Sequence, residues 1–148
     1  MLKQRVIAVV ILRDGSVVQS EAFSHPHVIH YDAYHAIEAF NSWSVDEIVL
    51  LNVSLDPASR EDFLAIVSRV SRTCFVPLAV GGWIDSEDYG ARLIESGADK
   101  LVLNSAWSRG VQVPQALSTR FGRQCIVASI DAKSVDGDKR VFIDRGRE

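Results

Sequence analysis

Cysteine is scarce. Cys74 and Cys125 are the two in 148 residues, far apart and without metal-type spacing. They read as reduced, structural residues, which fits a cytoplasmic protein. No apolar run approaches the ~18 residues that a membrane span needs. The opening "MLKQRVIAVVILRDG" imitates a signal peptide, with basic residues before an apolar run. That run covers only residues 6–12, and the small-residue cleavage pattern is missing, so a buried strand is the better reading. There is no excess of positive charge either. The net charge of −3 gives no broad electrostatic case for nucleic acid. Low-complexity segments and domain linkers are missing. His25, His27, His30 and His35 crowd one stretch, but no acid–histidine or cysteine motif accompanies them, so no metal is assigned. No cofactor is implied.

What is present is an ordinary globular composition, 47% hydrophobic and 24% charged, long enough for one domain with a real core. Apolar runs recur at 5–12, 47–53, 75–80, 100–104 and 125–131. They are rich in Val, Ile and Leu and do not alternate, which suits strands buried on both faces. Helical patterns lie between them, at 31–43, 56–71, 85–97 and 113–122. Asp85 or Ser86 is the expected N-cap of the third helix, and Gly97 and Gly122 close the third and fourth. Strands alternating with helices predict an α/β protein with a parallel sheet. "VDEIVLLN" (45–52) and "ADKLVLN" (98–104) share a small residue, an aspartate, a charge, an aliphatic run and a closing asparagine. The likeness suggests a duplicated two-strand unit. Residues 1–122 form four βα units, and 123–148 add a fifth strand and a hairpin turning at Asp136-Gly137. About four and a half units fall short of a closed barrel, which needs eight in about 250 residues.

Sites in parallel α/β proteins gather at the C-terminal ends of strands. One such end, "LAVGGWIDSED" (78–88), has two adjacent glycines where a tight turn needs one. Gly81-Gly82 would open backbone N–H groups to an anion. Asn104-Ser105 would add an amide and a hydroxyl at the next strand end. The alternative is that the glycines simply turn the chain and Asn104 caps the segment after it. Asp131 closes an otherwise apolar run. It is either a solvated strand end or a general acid/base in a cleft, with Lys133 as its partner or as a surface lysine.

The segments "RVI" (5–7), "DGSVV" (14–18), "VDEIVLLNV", "VGGWI", "GADKLVLNSA" and "RFGRQCIVASIDAK" occur together in this order. In this the chain resembles the cyclase subunit of imidazole glycerol phosphate synthase, from residue 1 to about 146. The resemblance implies the N-terminal half of a (βα)8 barrel of the TIM type. It places a phosphate site on Gly81, Gly82, Asn104 and Ser105, and one catalytic aspartate on Asp131. The third glycine usual in the phosphate turn is Trp83. The other catalytic aspartate falls on Ile11, the mobile-loop lysine on Gln19, and the acid ending the second strand on Asn52. An isoleucine transfers no protons, so two-carboxylate acid–base chemistry cannot run as the family runs it.

The resemblance also implies an ammonia gate at the barrel floor, matched by Arg5, Glu47 and Lys100, beside a glutaminase-docking position, Asp99. Their reading without it is charged strand starts solvated at the floor. Cyclase-like proteins of surface-polysaccharide clusters, associated with glutamine-dependent sugar amidation, also have an aliphatic residue at the first strand. The expected function is a divergent cyclase-like protein that binds a phosphorylated metabolite and lacks full cyclase activity. Its expected partners are a glutaminase subunit and a second copy of the chain. The rivals are a non-enzymatic phosphate-binding or glutaminase-docking half-barrel, and a fragment of a longer active enzyme. The first strand and the strand at 125–130 are expected as the open edges of the sheet.

Overall fold

The computed structural model describes residues 4–21 and 24–143. The elements run β1 (Ile7–Arg13), β2 (Ser16–Glu21), β3 (Ser24–His30), α1 (Ala33–Ser42), β4 (Glu47–Asn52), α2 (Ser59–Ser71) and β5 (Leu78–Gly81). Then follow α3 (Glu87–Glu95), β6 (Lys100–Leu103), α4 (Gln112–Phe121), β7 (Ile126–Ala128), β8 (Asp131–Val135) and β9 (Asp138–Phe142). Seven strands form one sheet in the order β3-β2-β1-β4-β5-β6-β7. β1, β4, β5, β6 and β7 are parallel to their neighbours among themselves. This is the α/β parallel architecture that the five aliphatic runs predict.

Alternating strand residues divide the sheet into two faces. Ala8, Val10, Leu12, Ile48, Leu50, Leu78, Val80, Leu101 and Leu103 are buried, as are Ile37, Phe63, Val67, Leu93 and Leu117 of the four helices. The other face is open at one side: Ile7 and Val9 of β1 are 50% and 54% exposed. Ile11 lies on this open face, two residues beyond Val9 and beside Leu51 of β4.

Helix ends follow the expected chemistry. The Asp32 carboxylate accepts from the Tyr34 amide at 2.9 Å to cap α1. That bond, with Arg69 beside it, holds the Asp32 carboxyl below its ordinary value. Ser86, not Asp85, caps α3 by accepting from the Tyr89 amide at 3.3 Å. Gly97 and Gly122 follow α3 and α4 with φ of 109° and 94°, conformations that suit glycine.

Two expectations need correction. β1 is not an outer strand. β2 pairs with its end antiparallel (Leu12↔Val17, Arg13↔Ser16), and β3 extends the sheet further. The turn between β1 and β2 is Asp14-Gly15, both at positive φ, which is the two-residue hairpin signal "DG". The fifth parallel strand is also shorter than its apolar run. β7 stops at Ala128, and the chain then opens the separate β8–β9 hairpin. The family likeness beyond residue 143 lies outside the described residues.

Candidate functional site at the two ends of the sheet

At the C-terminal end, Gly81 pairs with Val102 across β5 and β6. The glycine turn therefore lies beside the strand end that leads to Asn104-Ser105. Both glycines have a steric cause. A Cβ on Gly81 would come within 2.8 Å of the Val102 carbonyl oxygen. A Cβ on Gly82 would collide with the Asn52 carbonyl, and φ there is 112°. Close approach by neighbouring strands thus requires the pair, whether or not a ligand does. Asn104 is tied to β7's far end: its amide donates to the Ser129 carbonyl at 3.2 Å and lies 3.4 Å from the Ser129 hydroxyl. Its own side-chain oxygen accepts from Ser105 Oγ at 3.4 Å.

Asp131 is not at the end of a sheet strand. It opens β8 and pairs with Phe142 of β9, and Lys133 lies with its Nζ 4.7 Å from the centroid of the Phe142 ring. Gln19 pairs with His27 inside the β2–β3 hairpin. In the histidine-rich stretch, His30 Nδ1 accepts from the Asp32 amide at 3.0 Å, and His35 Nδ1 lies 3.3 Å from Glu38. The side chain of His25 lies outside the described residues. No group of three or more metal-ligating side chains converges among the described residues.

A polar network that sequence reasoning did not anticipate crosses three of the loops at this end. Asn52 and Ser54 are both buried. The Asn52 oxygen accepts from the Ser54 amide (3.1 Å) and hydroxyl (2.7 Å), and its NH2 donates to Ser59 Oγ at 3.1 Å. Ser54 Oγ also accepts from the Asp14 amide at 2.8 Å. The Trp83 indole donates to the Ser54 carbonyl at 2.9 Å. Its only signal in the sequence is Asn52 two residues before Ser54, the spacing of an Asx turn. Nearby, Arg60 bonds Asp85 at 2.6 Å and lies over the rings of Trp83 and Tyr89. Burial pushes the Tyr89 phenol up to about 12.

At the opposite end three predicted residues meet. Glu47, with a side chain only 7% exposed, accepts from Arg5 at 3.1 Å and from Lys100 at 2.7 Å. Lys100 reaches Glu47 across β5, since β4 and β6 both flank that strand. Asp99 points to different work: its carboxylate accepts from the Leu78 amide at 2.8 Å, and its amide donates to the Leu78 carbonyl at 2.9 Å. Asp46 does the same to Val6, with both bonds at 2.8 Å. The two aspartates of the repeated sequence pattern therefore make the same two-bond clamp on the preceding parallel strand. A cavity of about 360 Å³ opens between α4 and β7, lined by Trp107, Val111, Ser118, Arg123 and Ile126 among others. It includes none of the predicted site residues.

The model of one family, described as histidine biosynthesis protein, matches residues 5–148. The chain belongs to that family. It is 33% identical over 146 residues to the imidazole glycerol phosphate synthase subunit HisF of Natranaerobius thermophilus, a match covering 99% of this chain and 58% of the relative. It is 34% identical to the protein of the same name from an Exiguobacterium species, over 100% of this chain and 58% of that one. For the Hydrogenobaculum species the identity is 35%, over 99% and 58%. The chain thus spans about 58% of the length of the curated relatives it matches. The family likeness of the cyclase-like motifs is shown over nearly every residue of the chain. No helix among the described residues is long and apolar enough to cross a membrane.

Proposed function

We propose that this chain is a divergent cyclase-like protein that binds a phosphorylated metabolite between Gly81-Gly82 and Asn104-Ser105. The observation that carries the reading is the register of β5 on β6. Gly81 opposite Val102 sets the glycine turn beside Asn104-Ser105 at adjacent parallel strand ends. Backbone N–H groups at a glycine turn can hold a phosphate without any cationic side chain. The Asn104 amide and Ser105 hydroxyl would join them by turning from Ser129 and from the Asn104 side-chain oxygen, their partners in the unliganded chain. The relatives' name, a synthase of a glycerol phosphate, is in keeping with a phosphate-ester ligand. Calorimetric titration with inorganic phosphate and with a pentose phosphate monoester should give a single saturable site. Heats indistinguishable from dilution for both would defeat the reading.

The imidazole-forming reaction itself is absent from this reading. Ile11 stands where the family has its first acid, and the Asn52 amide is already committed to Ser54 and Ser59. Asp131, which opens the β8–β9 hairpin, is the one carboxylate left of the family's pair. Losing one of a general acid–base pair lowers rates by about 10²–10⁴-fold. With ammonia and the family's ribonucleotide substrate, turnover should be negligible, and Ile11→Asp alone should not restore it. Turnover at an ordinary enzymatic rate by the wild-type chain would contradict this assignment. The Arg5–Glu47–Lys100 cluster fits the gate of an ammonia path in a sugar-amidating system. A glutaminase subunit would dock at this end of the sheet, where the Asp99 carboxylate, bonded to the Leu78 amide, holds the edge in place.

A second copy of the chain is the proposed cover for the open sheet face. Ile7 and Val9 are half exposed there, and β7 offers an edge to a further strand. Pairing about a two-fold axis would cover both. Light scattering at micromolar concentration should give a species of at least twice the 16.4 kDa chain mass. A stable, monodisperse monomer would contradict it.

A further inference from the structure

We infer that Trp83 is a positioning residue for anion binding, latching the Gly82–Trp83 turn in one fixed arrangement of its N–H groups. The inference rests on the phosphate reading above. Two consecutive residues occupy the left-handed region, Gly82 at φ 112° and Trp83 at 59°. Glycine takes that conformation freely, but a bulky L residue does so only when its surroundings hold it there. Turns that gather successive backbone N–H groups form concave anion-binding nests. The resemblance places a third glycine at this position. Such a turn would be unstrained but also free to move.

The holding contacts are specific. The indole Nε1–H donates to the Ser54 carbonyl at 2.9 Å. Ser54 is 1% exposed and is itself fixed by Asn52 and by the Asp14 amide. The ring lies 5.8 Å from the Arg60 guanidinium carbon, and Arg60 is anchored on Asp85. On the other side of the turn, Gly82 is pressed against the Asn52 backbone so closely that no side chain fits. The turn is therefore pinned from both sides, by steric contact at Gly82 and by a hydrogen bond at Trp83. A nest whose amides are fixed before the anion arrives loses less freedom on binding.

The test compares the wild-type 148-residue chain with Trp83→Phe and Trp83→Gly, using inorganic phosphate as the probe. Trp83→Phe keeps the ring and removes the donor. Loss of one such hydrogen bond should weaken phosphate binding about fivefold. Trp83→Gly relieves the strain but loses the latch, and should fall between wild type and Trp83→Phe. A residue with a merely structural role would lower the thermal midpoint in these variants and leave phosphate affinity unchanged, and that result overturns the latch. In the wild type, hydrogen exchange at the indole Nε1–H should slow when phosphate is added. An unchanged rate counts against the latch even if neither variant folds. A wild type that binds no phosphate overturns the phosphate reading and this inference with it, whereas equal binding by all three chains overturns the latch alone.

Discussion

Gly82→Ala should destabilise the chain by about 3 kcal/mol or more, a large share of the ~5–15 kcal/mol that holds a typical domain together. Two effects add. At φ 112° an L side chain is strained, at roughly 1–2 kcal/mol. The new Cβ would also meet the Asn52 carbonyl, which belongs to a strand and has little room to yield. Overpacking of that kind adds about 1–3 kcal/mol. Gly137→Ala is the control. Its φ is 87°, yet nothing lies within 4 Å of the added carbon, so only the strain of about 1 kcal/mol remains. Urea unfolding of the two variants would separate the effects. Equal midpoints would mean that β4 does not press on the glycine turn.

A double-mutant cycle on Glu47 and Lys100 should show strong coupling. Lys100→Met would leave a carboxylate that is 7% exposed with Arg5 as its one remaining partner in the cluster, and the Arg5 side chain is 51% exposed. Breaking a fully buried pair costs about 3–5 kcal/mol. Lys100 is itself 27% exposed, so screening reduces the expectation to about 2 kcal/mol. Glu47→Leu combined with Lys100→Met should be close to wild type, because apolar replacement of a buried pair is often neutral. The cycle measures the coupling directly. Additive effects of the two single changes would show that Glu47 and Lys100 act independently, and the gate assignment would lose its structural basis.

How legible these features were in the sequence follows from the range of the forces that set them. The aliphatic runs at 47–53 and 100–104 announce β4 and β6 because burial on both faces leaves an unbroken apolar pattern. β2 and β3 carry no such pattern. "SVVQSE" and "SHPHVIH" are polar and their pairing is interrupted by register shifts, so neither strand was expected, although Asp14-Gly15 carries a hairpin-turn signal. The run at 125–131 looked like a longer strand than β7 is. Pairing, not hydrophobicity, sets its length: β6 ends at Leu103, opposite Ala128. The glycine pair was visible, but its steric cause was not. That cause lies in Asn52 and Val102, distant in sequence and adjacent in space. The Arg5–Glu47–Lys100 meeting came from the family resemblance, since no local period links the segment before β1 with β4 and β6. The Asn52–Ser54–Trp83 network was hidden for the same reason.

The central claim is that an anion is held at the C-terminal ends of β5 and β6. Backbone amide chemical shifts followed through a titration with inorganic phosphate test it most directly. The account predicts saturable shifts at Gly81, Gly82, Asn104 and Ser105, with the amides of β1 and β4 little affected. A titration that reaches saturating phosphate with those four amides unmoved, or that moves only residues around Arg5 and Lys100 at the opposite end, would contradict it.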